Sequence, residues 1–133
     1  MENELHEGID FIGVLPHGEL LSRIAESVHV LVHPALEEAQ PMSIIEAMSL
    51  GIPVIGGDHS GGVPWTLDGG RAGMLVDVES PAAIADAMIV LASDRKLRAE
   101  WGMRGRRLAE SRYHIRTVAD SYEALYRQTW GTA

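Results

Sequence analysis

Along the first 94 residues, hydrophobic and polar positions alternate between two patterns. Short runs dominated by Val, Ile and Leu begin at Ile9 (IDFIGVL), Val28 (VHVLVHP), Ile52 (IPVIGG) and Gly73 (GMLVD), each bounded by Gly, Pro or Asp. Such runs predict strands covered on both faces, as in a parallel sheet. Between them, ELLSRIAESV, SIIEAMSLG and a short stretch after Gly61-Gly62 carry apolar residues at helical spacing. Strand and helix alternating at these lengths predict βαβ units with right-handed crossovers. From Ser80 onward the pattern is helical throughout. Ser80 is placed to cap PAAIADAMIVLASD, Pro81 suits its first turn, and Ile84, Met88 and Leu91 form its apolar face. RKLRAEWGMRGRRLAESRYH and IRTVADSYEALYRQTW predict two further helices. The expected fold class is α/β, a parallel sheet of about four strands flanked by helices with a helical C-terminal tail. We expect a single domain, with an α/β core over 1–94 and C-terminal helices over 95–133 packed on it.

Composition narrows the function classes. The chain has 133 residues, 46% of them hydrophobic and 23% charged. This is enough apolar material for one folded domain and too much for a disordered tail. There are no cysteines, so disulfides, thiolate nucleophiles and cysteine-ligated metals are excluded. His6, His17, His29 and His114 show no metal-ligand spacing. The single lysine, Lys96, falls in a predicted surface helix, which argues against Schiff-base chemistry. The opening MENELHEG lacks the basic-then-apolar pattern of a signal peptide. No apolar run approaches the roughly 20 residues needed to cross a bilayer. A cytoplasmic location is expected, with peripheral membrane association of a full-length protein left open.

The net charge of −8 is unevenly spread. Residues 1–94 hold 15 acidic side chains against Arg23 and Arg71, a balance of −13, whereas residues 95–133 hold nine basic and four acidic ones, a balance of +5. So acidic a body is a poor partner for nucleic acid, whose binding depends on neutralised phosphates. The cluster Arg104, Arg106 and Arg107 reads first as a solvated helical face. Trp101, Tyr113, Tyr122, Tyr126 and Trp130 are spaced for helix packing, in a core or at an interface.

The densest chemistry lies in VHPALEEAQPMSIIEAMSLGIPVIGGDHSGG, from Val32. A predicted strand ends at His33-Pro34, a loop carries Glu37, Glu38 and Gln40, and a helix opens near Ser43. Ligands of open parallel sheets collect outside the carboxyl ends of the strands, often at a helix N-terminus that attracts anions. Gly56-Gly57 and Gly61-Gly62 fall at such ends, where glycine lets a ligand approach the backbone. His33 and His59 also fall at strand ends facing this cleft, where a histidine serves more often as a polar cap than as a ligand contact. Ser43 and Glu46 fit a capping box, in which each satisfies the other's backbone donor at the helix start.

The pattern Glu38-x7-Glu46-Ala-Met-x-x-Gly-x-Pro-Val, followed by Gly-Gly-Val-Pro and DGGRAGMLVD, resembles the C-terminal, nucleotide-sugar-binding domain of retaining glycosyltransferases with the GT-B fold. The resemblance runs from about Phe11 to Arg112 and covers the group 1, glycogen-synthase-like family. It implies a Rossmann-like half of a GT-B fold. It implies that Glu38 lies against the donor sugar as the catalytic carboxylate and that Glu46 accepts from the ribose hydroxyls. A carboxylate suits both tasks, being acceptor-only and able to hold two vicinal hydroxyls. It also implies that Ala39 to Ser43, with Gln40, Met42 and Ser43 as contacts, present backbone N–H groups to the diphosphate, and that Gly61, Gly62 and His33 border the donor. No metal and no cofactor are expected; the nucleoside-diphosphate sugar is a substrate.

This chain departs from the family at several positions. Ala39 and Pro41 stand where glycines are common, Gln40 where an aromatic is common, and Trp65 where a glutamate is usual. Pro41 has no N–H to offer a phosphate. Trp65 fits either beneath the sugar or against a partner domain. The family's phosphate-binding arginine and lysine normally precede the segment that opens this chain, and its acceptor-binding N-terminal domain is expected to be missing. The functional expectation is the donor-binding part of a retaining glycosyltransferase, inactive by itself and prone to form homo-oligomers. The alternative is a free-standing, non-catalytic α/β module that binds a nucleotide or a protein.

Overall fold

The computed structural model describes residues 8–131. His6 and most of the opening MENELHEG stretch lie outside them. Helix α1 spans His17–Ser27, followed by β1 (Leu31–His33), α2 (Met42–Ser49), β2 (Val54–Gly57), a one-turn α3 (Val63–Thr66) and β3 (Met74–Val76). Three helices close the chain: α4 (Pro81–Ser93), α5 (Arg95–Leu108) and α6 (Ile115–Trp130). The strands form one parallel sheet in the order β1-β2-β3, with Val32 opposite Ile55 and Gly56 opposite Leu75. Each strand is joined to the next through a helix, which parallel pairing requires.

The central strand is buried from end to end, whereas the two edge strands are half-buried. Its side chains alternate between two cores, as the two-residue repeat of a strand dictates. Val54 faces Ile44, Ala47, Met48, Val63 and Leu67, while Ile55 faces Ala87 and Leu91, with Leu97 and Trp101 around them.

The sheet has three strands among the described residues instead of four. The run from Ile9 is irregular and mostly solvated, with Phe11 83% exposed. Gly13 adopts a left-handed conformation within it and Pro16 turns the chain into α1. An apolar run becomes a strand only within a hydrogen-bonded ladder, and among the described residues the ladder of this sheet runs from β1 through β2 to β3.

Helix α4 starts as expected, with the Ser80 hydroxyl accepting from the Ala83 N–H at 3.3 Å. Its buried face is Ala87 and Leu91 with half-buried Ile84, and Met88 turns outward. Asp94 then ends α4 and caps α5, accepting from the N–H groups of Lys96 and Leu97 at 2.9 Å. Arg98 reaches back to donate to the carbonyls of Leu91 and Ala92, which the end of α4 leaves without helical partners.

Helix α5 approaches the core unusually closely. A Cβ on Gly102 would stand 2.0 Å from the Gly51 carbonyl oxygen, and one on Gly105 3.1 Å from Met48 Cγ. Past Leu108 the helix widens into a π-turn over Ala109–Tyr113 instead of continuing to His114. This buries Ala109 and sends Arg112 and Tyr113 back across the domain. Helix α6 buries no residue; Tyr122, Tyr126 and Trp130 stack along its exposed side.

Candidate functional site

The loop of residues 34–41 leaves β1 at the carboxyl edge of the sheet and enters α2 through Pro41, which is buried and extended at the cap position. A residue preceding proline disfavours the helical region, so α2 begins at Met42 and the loop stays open. Glu38 is fixed at both ends. Its Oε1 accepts from the Ala39 N–H at 2.9 Å, and its backbone carbonyl accepts from the Gly62 N–H at 2.7 Å.

The second glycine pair holds this loop from below. A Cβ on Gly61 would lie 2.5 Å from the Glu38 carbonyl oxygen, and one on Gly62 only 1.7 Å from that of Ala39. Gly61 also has φ = +56°, a conformation that L side chains rarely adopt. These glycines therefore bring α3 against the acidic loop. Gly61 additionally lines the cleft, whereas the Gly62 N–H is committed to Glu38.

His33, the last residue of β1, lies beneath Glu38. Its Nδ1 is 3.5 Å from the Ser43 hydroxyl and its Nε2 is 3.8 Å from Glu38 Oε2. That Nε2 is buried with no hydrogen-bond partner. The structure thus brings Glu38, His33 and Ser43 together from β1, the loop and α2. Gln40 and Met42 stand exposed at the start of α2, whose first N–H groups have no intrahelical partners.

Two adjoining clefts open over these strand ends. One, of about 510 Å³, is lined by Glu37, Glu38, Ala39, His59 and Gly61. The other, of about 500 Å³, adds Asp58, Ser60, Asp77 and Glu79. Glu37 lines both clefts, as does His59. His59 Nδ1 lies 2.8 Å from Asp58 Oδ1, and this hydrogen bond raises the imidazole's pKa above its ordinary value. Among the described residues, no group of His, Asp and Glu is arranged to hold a metal ion.

The capping box does not form, because Pro41 occupies the cap position and no side chain caps α2. Glu46, one turn into the helix, instead places Oε1 2.8 Å from His17 Nε2, at the start of α1. Nothing in the spacing of residues 43–46 signals this partner, 29 positions upstream.

Trp65 is 60% exposed and is held from one side. The Tyr113 ring meets it edge-on at 6.1 Å, and the Arg112 guanidinium lies 5.4 Å from its centre. Arg112 also donates to Asp68 at 2.7 Å and to the Trp65 carbonyl, while the Tyr113 hydroxyl donates to the Thr66 carbonyl at 3.1 Å. Asp68, with Arg71 bound beside Arg112, has its pKa lowered by these two guanidiniums, Arg112 first. The Arg112 pKa is raised, first by its bond to Asp68. Sequence reading missed this clasp between the π-turn and α3. Its one local signal was the Asp68-Gly69-Gly70 turn, in which all three residues have positive φ.

Comparison with known proteins agrees with this fold. A family model described as glycosyl transferases group 1 matches residues 2–108. The N-acetyl-alpha-D-glucosaminyl L-malate synthase of Bacillus anthracis is 30% identical over 90 residues, covering 68% of this chain and 23% of that protein. A D-inositol 3-phosphate glycosyltransferase of Corynebacterium jeikeium is 32% identical over 94 residues, covering 71% of this chain and 22% of its own length. The chain thus spans less than a quarter of these relatives. Among solved structures, a sucrose-phosphate synthase from Thermosynechococcus elongatus superposes with TM-score 0.85 at 28% identity, over 99% of this chain and 33% of that one. The C-terminal domain of a glycosyl transferase group 1 family protein from Francisella tularensis gives TM-score 0.72 at 27% identity, over 86% of this chain and 60% of that one.

Proposed function

Because this chain belongs to the glycosyl transferases group 1 family, with the fold of the GT-B enzymes' C-terminal domain, we propose that it is the donor-binding part of a retaining glycosyltransferase. In this reading it holds a nucleoside-diphosphate sugar, and a domain supplied by further chain holds the acceptor hydroxyl. Glu38 accepts hydrogen bonds from the sugar and orients it for attack. Glu46 accepts from the ribose hydroxyls. The diphosphate lies between them, at the first turn of α2, where orphan N–H groups and the helix dipole favour negative charge. The protein's role is to position groups and stabilise charge, while the leaving diphosphate takes the acceptor's proton on the same face of the sugar. No metal is assigned a step.

The observation that carries this reading is the placement of the Glu-x7-Glu segment. It occupies the carboxyl edge of a parallel sheet in a chain of this family, with Glu38 lining a cleft and tied down by backbone N–H groups. The test is an NMR titration of the chain with UDP-glucose, UDP-N-acetylglucosamine, GDP-mannose and ADP-glucose. At least one of them should shift amide resonances within residues 37–46 and 57–62, and the Glu38→Ala variant should weaken that sugar more than the matching nucleoside diphosphate. Shifts confined to α6, or none with any of the four, would refute the reading.

A further inference from the structure

We propose that His17 is a positioning residue for Glu46, holding one carboxylate oxygen so that the other faces a vicinal diol already oriented. The inference rests on the reading of Glu46 as the ribose-binding carboxylate. A carboxylate only accepts hydrogen bonds, so the ring nitrogen 2.8 Å from Glu46 Oε1 carries the proton, and His17 Nε2–H is the donor. The bond joins the first residue of α1 to the second turn of α2. Among the described residues, the other hydrogen bonds of α1 stay within its own helix and flanks. The contact is therefore specific to this carboxylate and is not part of a general zipper between the two helices.

Its consequence is preorganisation. A glutamate side chain loses three rotatable bonds when it is immobilised, a cost that for this half-buried residue would weaken binding about three- to fivefold if it fell on the ligand. With Oε1 engaged by His17, that ordering is complete before a ligand arrives. Oε2 and the remaining lone pair of Oε1 are left to accept from two neighbouring hydroxyls. Glu46 itself is half-buried in α2 and cannot be ordered by a cap, since the capping box is replaced by Pro41. His17 supplies the ordering that the helix start does not.

The test uses NMR titration of the chain with UDP, GDP and ADP, each beside its 2′,3′-dideoxy counterpart. The readout is the ratio of dideoxy to ribose dissociation constants for whichever base binds. The wild-type chain should prefer the ribose form by about tenfold or more, the value of charge-assisted hydrogen bonds to a diol. Glu46→Ala should bring the ratio close to one. His17→Ala should lower it to about two- to threefold, and His17→Gln, which keeps an N–H donor, should restore most of it. The His17 variants should melt with the wild type, because α1 buries no residue. A wild-type ratio in His17→Ala, with the ratio lost in Glu46→Ala, overturns the positioning role and leaves the ribose site standing. A ratio unaffected by Glu46→Ala, or no preference for ribose in the wild type, removes the ribose site and the inference with it.

Discussion

Replacing Gly62 with alanine tests how the acidic loop is held. The added Cβ would lie 1.7 Å from the Ala39 carbonyl oxygen and 2.8 Å from its carbon. Both are backbone atoms, so no rotamer change relieves the clash. Restoring an ordinary carbon–oxygen contact of about 3.3 Å requires the loop and the α3 turn to separate by about 1.5 Å. That movement breaks the 2.7 Å bond from the Gly62 N–H to the Glu38 carbonyl. The net loss of a hydrogen bond is about 1 kcal/mol, and forced overpacking adds about 1–3 kcal/mol. The sum, about 2–4 kcal/mol, should lower the melting temperature of a domain this size by about 10 °C. Gly18→Ala is the control, because a Cβ there meets nothing within 4 Å; it should melt with the wild type or slightly above it. Thermal melts followed by circular dichroism give the stabilities, and amide shifts of residues 37–41 report the loop. A Gly62→Ala variant melting within a degree or two of the wild type, with unshifted loop resonances, would refute the account of the glycine pair as the loop's foundation.

Two further outcomes concern pH. Asp68 has a depressed pKa in the folded chain, so its contribution to stability is present above the ordinary carboxylate pKa and is lost as pH falls through the lower, folded value. The stability gap between wild type and Asp68→Asn should therefore be constant near neutrality and begin to narrow as pH falls below about 4; the absence of a gap near neutrality would contradict the clasp with Arg112. His59 has a raised pKa, chiefly from its bond to Asp58, so its stabilising contribution is present below pH 6.5 and fades as pH rises through the raised value. In Asp58→Asn, the His59 pKa measured by NMR should fall back toward its ordinary value, and an unchanged titration would show that Asp58 is not the cause.

Much of the architecture was legible because burial leaves a strong periodic mark. The β2 run IPVIGG is continuous in apolar residues because both of its faces are covered, and the Ser80-Pro81 start of α4 is a local signal that needs no tertiary context. The run from Ile9 carried the same mark but contributes no strand to the sheet among the described residues, so composition alone could not distinguish it from one. Ser43-x-x-Glu46 failed for a related reason. Two residues define a capping box, but the proline ahead of them took the cap position and a distant histidine took the glutamate. The Arg112–Asp68 clasp depends on a π-turn, which inserts an extra residue into the helical repeat and rotates Arg112 and Tyr113 onto a face the 3.6-residue period does not predict. Among the tail aromatics, packing spacing was informative for half-buried Trp101 and Tyr113 and misleading for a core role of Tyr122, Tyr126 and Trp130, which α6 leaves exposed.

The two carboxylates of the candidate site are held by structures of different strength. Glu38 is anchored through Gly61 and Gly62 to α3, whose Val63 and Thr66 are fully buried, with Leu67 just beyond, so its placement shares the stability of the central core. Glu46 has a backbone fixed in α2 between buried Ile44, Ala47 and Met48, but its carboxylate is oriented from α1, a helix with no buried residue that follows the exposed run from Ile9. Local opening concentrates where few apolar contacts are buried. Substitutions in α1 should therefore disturb the Glu46 end of the site while leaving the Glu38 end intact. Perturbing the glycine pair should disturb Glu38 first and reach Glu46 only through loss of the fold.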